Sequence, residues 1–210
     1  MKDYLLDSID AKLGEMLTNS SHMFDLSMSC LLGDTNLDSV KENLYSTDKL
    51  INELHRDVRR ELILHSAVNS RNPDIPLLLA YMTMSKDIER IGDYCKNLFE
   101  IAETGNSFTK DDDLDYLISL RDNISGFIVS LQTCLSIDKE SKVQELINSG
   151  AKLGKEIDEK ITSLLEDKIE VKYPVATTLF YRYLMRINLH IVNAATAIIM
   201  PTDKIDYIDE

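Results

Sequence analysis

With 210 residues, 44% of them hydrophobic, the chain can bury a core of its own, and seven glycines and four prolines are too few for a turn-rich β architecture. A net charge of −13 excludes a nucleic-acid binder built on clustered Lys and Arg, and favours cations or a basic protein surface as partners. No apolar run approaches the roughly 18 residues of a membrane span, and the start "MKDYLLDSIDAKL" lacks the apolar stretch of a secretory signal, so a cytoplasmic protein that does not span the membrane is expected.

An all-α chain of six long helices follows from the periodicity, with breaks at Gly33, "NSRNPDIP", "TGNSFTKDD", near Ser136 and at "EVKYP". The first helix is expected over about 3–32 and the second over 36–68. The third should cover about 74–104, opening near Pro76, and the fourth about 110–136, where Thr109 precedes Asp111, Asp112 and Asp113 at a helix N-terminus that favours negative charge. The fifth takes about 138–169, and the sixth about 174–200 from Pro174. Short links make sequential helices antiparallel neighbours. Cys30, Cys95 and Cys134 stand far apart among apolar neighbours, as buried thiols would in a reducing compartment.

A faint internal duplication runs at a constant offset of 96 residues. "LIN" at 50–52 recurs at 146–148, Ala80 at Ala176, Arg90 and Ile91 at Arg186 and Ile187, and Asn97 at Asn193. Agreement in one register across helices two, three, five and six favours two copies of a three-helix unit, dividing the chain at 1–105 and 106–210.

On the third helix, Leu77, Tyr81, Met84, Ile88, Ile91, Cys95, Leu98 and Ala102 recur in steps of four and three, the pattern of a bundle seam. Within "DIERIGDYCKN" (87–97), Glu89 and Asp93 lie away from that seam and one turn apart. Two carboxylates at i and i+4 repel mildly, and a hard cation that prefers oxygen ligands would relieve them. The second helix repeats the spacing with Asp48 and Asn52, so a cation held between two helices would meet three carboxylates and one weaker amide oxygen. The plainer reading is a solvated surface.

The segment "SKDIERIGDYCKNLFEIAE" (85–103) resembles the hallmark helix of the PhoU family of phosphate-uptake regulators, which reads close to "DLERIGDYAVNIAE". "YSTDKLINELHRDVRRELI" (45–63) looks like that family's second helix, and the six-helix repeat extends the resemblance over nearly the whole chain. The resemblance implies two pseudo-repeated three-helix bundles. It also implies a multinuclear cluster of divalent or ferric ions, iron or zinc foremost, held by paired acidic motifs on adjacent helices. Carried over, the N-terminal site falls on Asp48, Asn52, Glu89 and Asp93.

The second half departs from that pattern. "RYLMRINLHIVNAAT" (182–196) has the shape of the family's "RYLERIGDHAVNIAE", but Met185 and Leu189 stand where carboxylates belong, and "QELIN" supplies Gln144 and Asn148. His190 matches the family's own histidine, and its ordinary reading is an imidazole satisfied in a helical interface. The sixth helix is apolar almost all round, from Leu184 to Ile199, and suggests a second buried face in a homodimer or against a membrane protein.

By resemblance the expected role is a non-enzymatic regulator of phosphate uptake. It would act at the inner face of the membrane on a phosphate transporter or its associated sensor kinase. A metal-free helical adaptor or dimerisation module is the alternative. A carboxylate-bridged di-iron enzyme needs Glu-x-x-His, and none of His22, His55, His65 and His190 has Glu three residues before it.

Overall fold

The computed structural model describes residues 4–33, 35–71, 73–110, 113–136, 140–166, 168 and 171–206. It is all-α, six long helices in two three-helix bundles: α1 (Tyr4–Leu32), α2 (Leu37–Val68), α3 (Ile75–Glu103), α4 (Leu114–Ser136), α5 (Glu140–Leu165) and α6 (Pro174–Ile199). Their starts follow from local chemistry. Asn36 accepts a hydrogen bond from the Asp38 N–H at the head of α2, and Asp74 accepts from the Leu77 N–H at the head of α3. Pro174 opens α6, where its missing N–H leaves no bond unmade.

The fourth helix begins at Leu114 rather than near 110. Gly105, at φ +83°, turns the chain as α3 ends, and the Phe108 N–H then donates to Leu31 O at 2.8 Å. That bond ties the connection to the C-terminal end of α1 before a new helix can start. Asp111 and Asp112, expected at this N-terminus, lie outside the described residues, as do 138, 139 and 169 at the edges of the fifth expected segment.

Each bundle packs its own three helices, α1 with α2 and α3, and α4 with α5 and α6. Across the middle α3 lies along α6, and α1 meets α4, so one hydrophobic core runs through both bundles. The seam expected on α3 is buried from Met84 through Ile88, Ile91, Cys95 and Leu98 to Ala102, while Leu77 and Tyr81 at its start are half-buried. Each fully buried Ile or Leu removes apolar area worth about 1.5–3 kcal/mol. The three cysteines are buried free thiols, and burial pushes all three pKa values up.

The apolar circumference of α6 has an explanation inside the chain. Being packed against α3, α4 and α5, it buries Leu184, Ile187, Ile191, Val192, Ala194 and Ala195, with Ile198 and Ile199 half-buried. Most of its apolar surface is thus covered by its own chain, while Val175 and Leu179 near its start remain exposed.

Candidate functional site

Asp48 and Asn52 stand on α2, Glu89 and Asp93 on α3, and the packing of these two helices brings Asp48 and Asp93 to one point. What they share is the ammonium of Lys96. Its Nζ lies 2.9 Å from Asp48 Oδ1 and 3.0 Å from Asp93 Oδ1. The three side chains are 22%, 16% and 27% exposed, which shields this bridge from solvent more than the exposed pairs elsewhere on the surface. Burial by itself would lower the Lys96 pKa, but the hydrogen bonds to Asp48 and Asp93 outweigh it and raise the value.

The other members of the set are also engaged. Asn52 Nδ2 donates to Asp48 Oδ2 at 3.3 Å, so the amide is turned as a donor toward the carboxylate it would have joined as a ligand. Asp93 Oδ2 accepts from Arg90 at 2.9 Å, and Glu89 Oε2 is held by Lys86 at 2.7 Å with Arg90 Nε at 3.9 Å. Glu89 therefore does not converge on the Lys96 ammonium with the two aspartates. Among the described residues no group of three or more His, Cys, Asp or Glu side chains is placed to hold a metal ion. Asp48, Glu89 and Asp93 are matched by Lys86, Arg90 and Lys96. A divalent or ferric ion added to that neutral arrangement would meet a fixed ammonium between its two best ligands. With Lys96 in place the residues do not fit a resident metal.

Periodicity could not show Lys96, yet a signal was present: "DYCKN" carries lysine where the hallmark "DYAVN" carries valine. A charge three residues after Asp93, about one turn on, can reach back to it along the same helix face.

His55, buried on α2, was not among the residues singled out for the site. Burial, with Arg59 adding and Glu89 opposing, pushes its pKa down from 6.5 to about 4, and its Nε2 has no hydrogen-bond partner among the described residues. Between pH 6.5 and about 4 the unfolded chain binds a proton that the folded protein refuses, so stability falls as pH falls through that window. Replacing His55 by Gln should flatten this acid limb when Tm is followed against pH. An unchanged limb would place the sensitivity elsewhere.

In the second bundle Gln144 Nε2 donates to Asn148 Oδ1 at 3.1 Å, while Met185 and Leu189 are half-buried and line a cavity of about 270 Å³ between α5 and α6. The close approach of these helices has its own device. Gly92 on α3 is a tight contact, its would-be Cβ 3.2 Å from Ile51 Cδ1. At the equivalent place α6 carries Asn188, whose Nδ2 donates to Gly150 O at 2.8 Å, and the glycine has moved to the facing helix. A Cβ on Gly150 would collide with Val192 Cγ2, so a larger residue here would force Val192 or the α5–α6 packing to shift.

Asp87, the first residue of the hallmark stretch, is buried rather than solvated. Its Oδ1 lies 2.7 Å from His190 Nδ1 across the α3–α6 contact. Tyr94 stacks on the same imidazole at 5.7 Å between ring centroids, and Arg186 Nε donates to the Tyr94 hydroxyl at 3.1 Å. His190 thus lies in a helical interface with Nδ1 paired to Asp87, while its buried Nε2 has no hydrogen-bond partner among the described residues.

Residues 13–102 match the family model of the PhoU domain. Among solved structures, the crystal structure of PhoU from Pseudomonas aeruginosa is similar over 95% of this chain and 97% of that chain, with a TM-score of 0.70 and 17% sequence identity. At that identity the likeness is one of fold. No curated protein matches the chain.

Proposed function

We propose that this chain, whose residues 13–102 match the PhoU domain and which shares the fold of PhoU over its length, belongs to the PhoU family and is a non-enzymatic regulator of phosphate uptake and phosphate homeostasis. Its work is binding: it engages a phosphate transporter or the associated sensor kinase at the inner face of the membrane. No helix among the described residues is long and apolar enough to cross a membrane, in keeping with a peripheral partner. The observation that carries this reading is the PhoU-domain match, which covers most of α1 and all of α2 and nearly all of α3.

Two versions of the regulator differ in whether a metal in the N-terminal repeat takes part. The metal-dependent version would use Asp48, Asn52, Glu89 and Asp93 as ligands to iron or zinc, and it requires Lys96 to leave both aspartates. The lysine bridge favours the metal-free helical adaptor. A homodimer or a membrane partner would meet α6 near its start, where Val175 and Leu179 are exposed.

Deleting the gene should raise phosphate uptake, or expression of phosphate-responsive genes, in cells grown with ample phosphate, and the wild-type chain should restore both. Unchanged uptake and unchanged expression in the deletion strain would overturn the reading.

A further inference from the structure

We propose that Lys96 takes the place of a metal ion at the α2–α3 contact, so that the N-terminal repeat is held together by a cation of its own chain and excludes a free one. Three observations carry this. The ammonium sits 2.9 and 3.0 Å from one oxygen of Asp48 and one of Asp93, the only carboxylates of the expected set that meet across the two helices. The remaining oxygens of that pair are already taken, Asp48 Oδ2 by the Asn52 amide and Asp93 Oδ2 by Arg90. Glu89, which would complete a ligand set, is drawn off to Lys86 at 2.7 Å.

The chemistry of the exchange is direct. Two aspartates facing each other from neighbouring helices repel, and something positive must lie between them for α2 and α3 to pack this closely. A bound ion does this only while the ion is available, and its hold falls as carboxylates protonate or chelators compete. A lysine on the next turn of the same helix does it permanently. It brings one charge rather than two or three, enough for an oxygen from each helix, while Arg90 and Lys86 neutralise the rest.

The second repeat relieves the same need by another route. At the equivalent place it carries Gln144 and Asn148, which hydrogen-bond each other, and Met185 and Leu189 beside an apolar cavity. One repeat supplies its own cation and the other has dispensed with the anions. Metal exclusion at the α2–α3 contact stands whether or not the chain regulates phosphate uptake, and the two are tested by different readouts.

The test is a gain of binding. Val, the residue that the hallmark helix carries at this position, replaces Lys96 in one variant, and Lys96→Val is combined with Asn52→Asp in a second to complete four acids. Each is titrated with zinc chloride by calorimetry and assayed for bound zinc and iron after dialysis, with circular dichroism to confirm native helicity. Wild type and Lys96→Arg should hold only background metal, and their Tm should not change with EDTA. The double variant should bind zinc at least about tenfold more tightly than wild type, and adding Asp93→Asn should abolish the gain. Stoichiometric metal on wild type that Asp93→Asn removes would overturn the proposal. So would a folded double variant with no gain, or a Lys96→Arg protein that gains metal as readily as Lys96→Val.

Discussion

Replacing Asp87 by alanine is expected to destabilise the protein by about 3–5 kcal/mol, the range for breaking a buried pair by removing one partner. Asp87 and His190 are buried where α3 lies along α6, and their 2.7 Å hydrogen bond joins one repeat to the other. Among the described residues His190 Nε2 already has no hydrogen-bond partner, so without Asp87 both ring nitrogens would be left without one there. Urea unfolding followed by circular dichroism measures the change. A loss under about 1 kcal/mol would mean that the imidazole finds water or another partner once the carboxylate is gone. Replacing both residues by leucine should cost much less than the single change, because a paired charge exchanged for apolar volume leaves nothing stranded. The double-mutant cycle then gives the coupling directly.

Phe180→Ala should cost a similar amount, about 3–5 kcal/mol, for a different reason. Phe180 is fully buried on α6, and its ring centroid lies 5.0 Å from that of Phe108 and 5.8 Å from that of Tyr181. Phe108 belongs to the connection between the bundles and is fastened through its N–H to Leu31 at the end of α1. The cavity left by the missing ring would therefore open between α6, the connection and the end of α1, where backbone already held by hydrogen bonds has little freedom to collapse. The readout is the denaturant midpoint together with the slope of the transition. A midpoint shift at constant slope is the expected result, since one core runs through both bundles. A cost below about 1.5 kcal/mol would show that the neighbouring rings close the gap.

Helix class, helix number and most helix limits were legible in the sequence, because the 3.6-residue period is a local property. Met84, Ile88, Ile91, Cys95, Leu98 and Ala102 mark the buried seam of α3 wherever the other helices stand. The recurrences at an offset of 96 residues are likewise a matter of sequence, as identity in register needs no coordinates. The candidate site was half legible. Spacing placed Asp48 and Asn52 one turn apart, and Glu89 and Asp93 likewise, yet nothing local says that Lys96 reaches an acid on another helix 48 residues away.

Asp87 shows the limit most plainly. A single apolar stripe on a helical wheel describes a helix packed on one side, whereas α3 is packed on α1 and α2 and again on α6, and the second contact is made by Asp87 and Tyr94 with His190. The apolar girth of α6 has its reason in tertiary packing as well, since α3, α4 and α5 bury Leu184, Ile187, Ile191 and Val192, while Val175 and Leu179 near its start stay exposed. The sequence by itself determined which stretches coil and which sides of them avoid water, since both depend on neighbours within a few turns. Only the tertiary structure decided which charges neutralise one another, because Coulomb attraction acts through space at a few ångströms and that distance is set by how helices distant in the chain come to lie together.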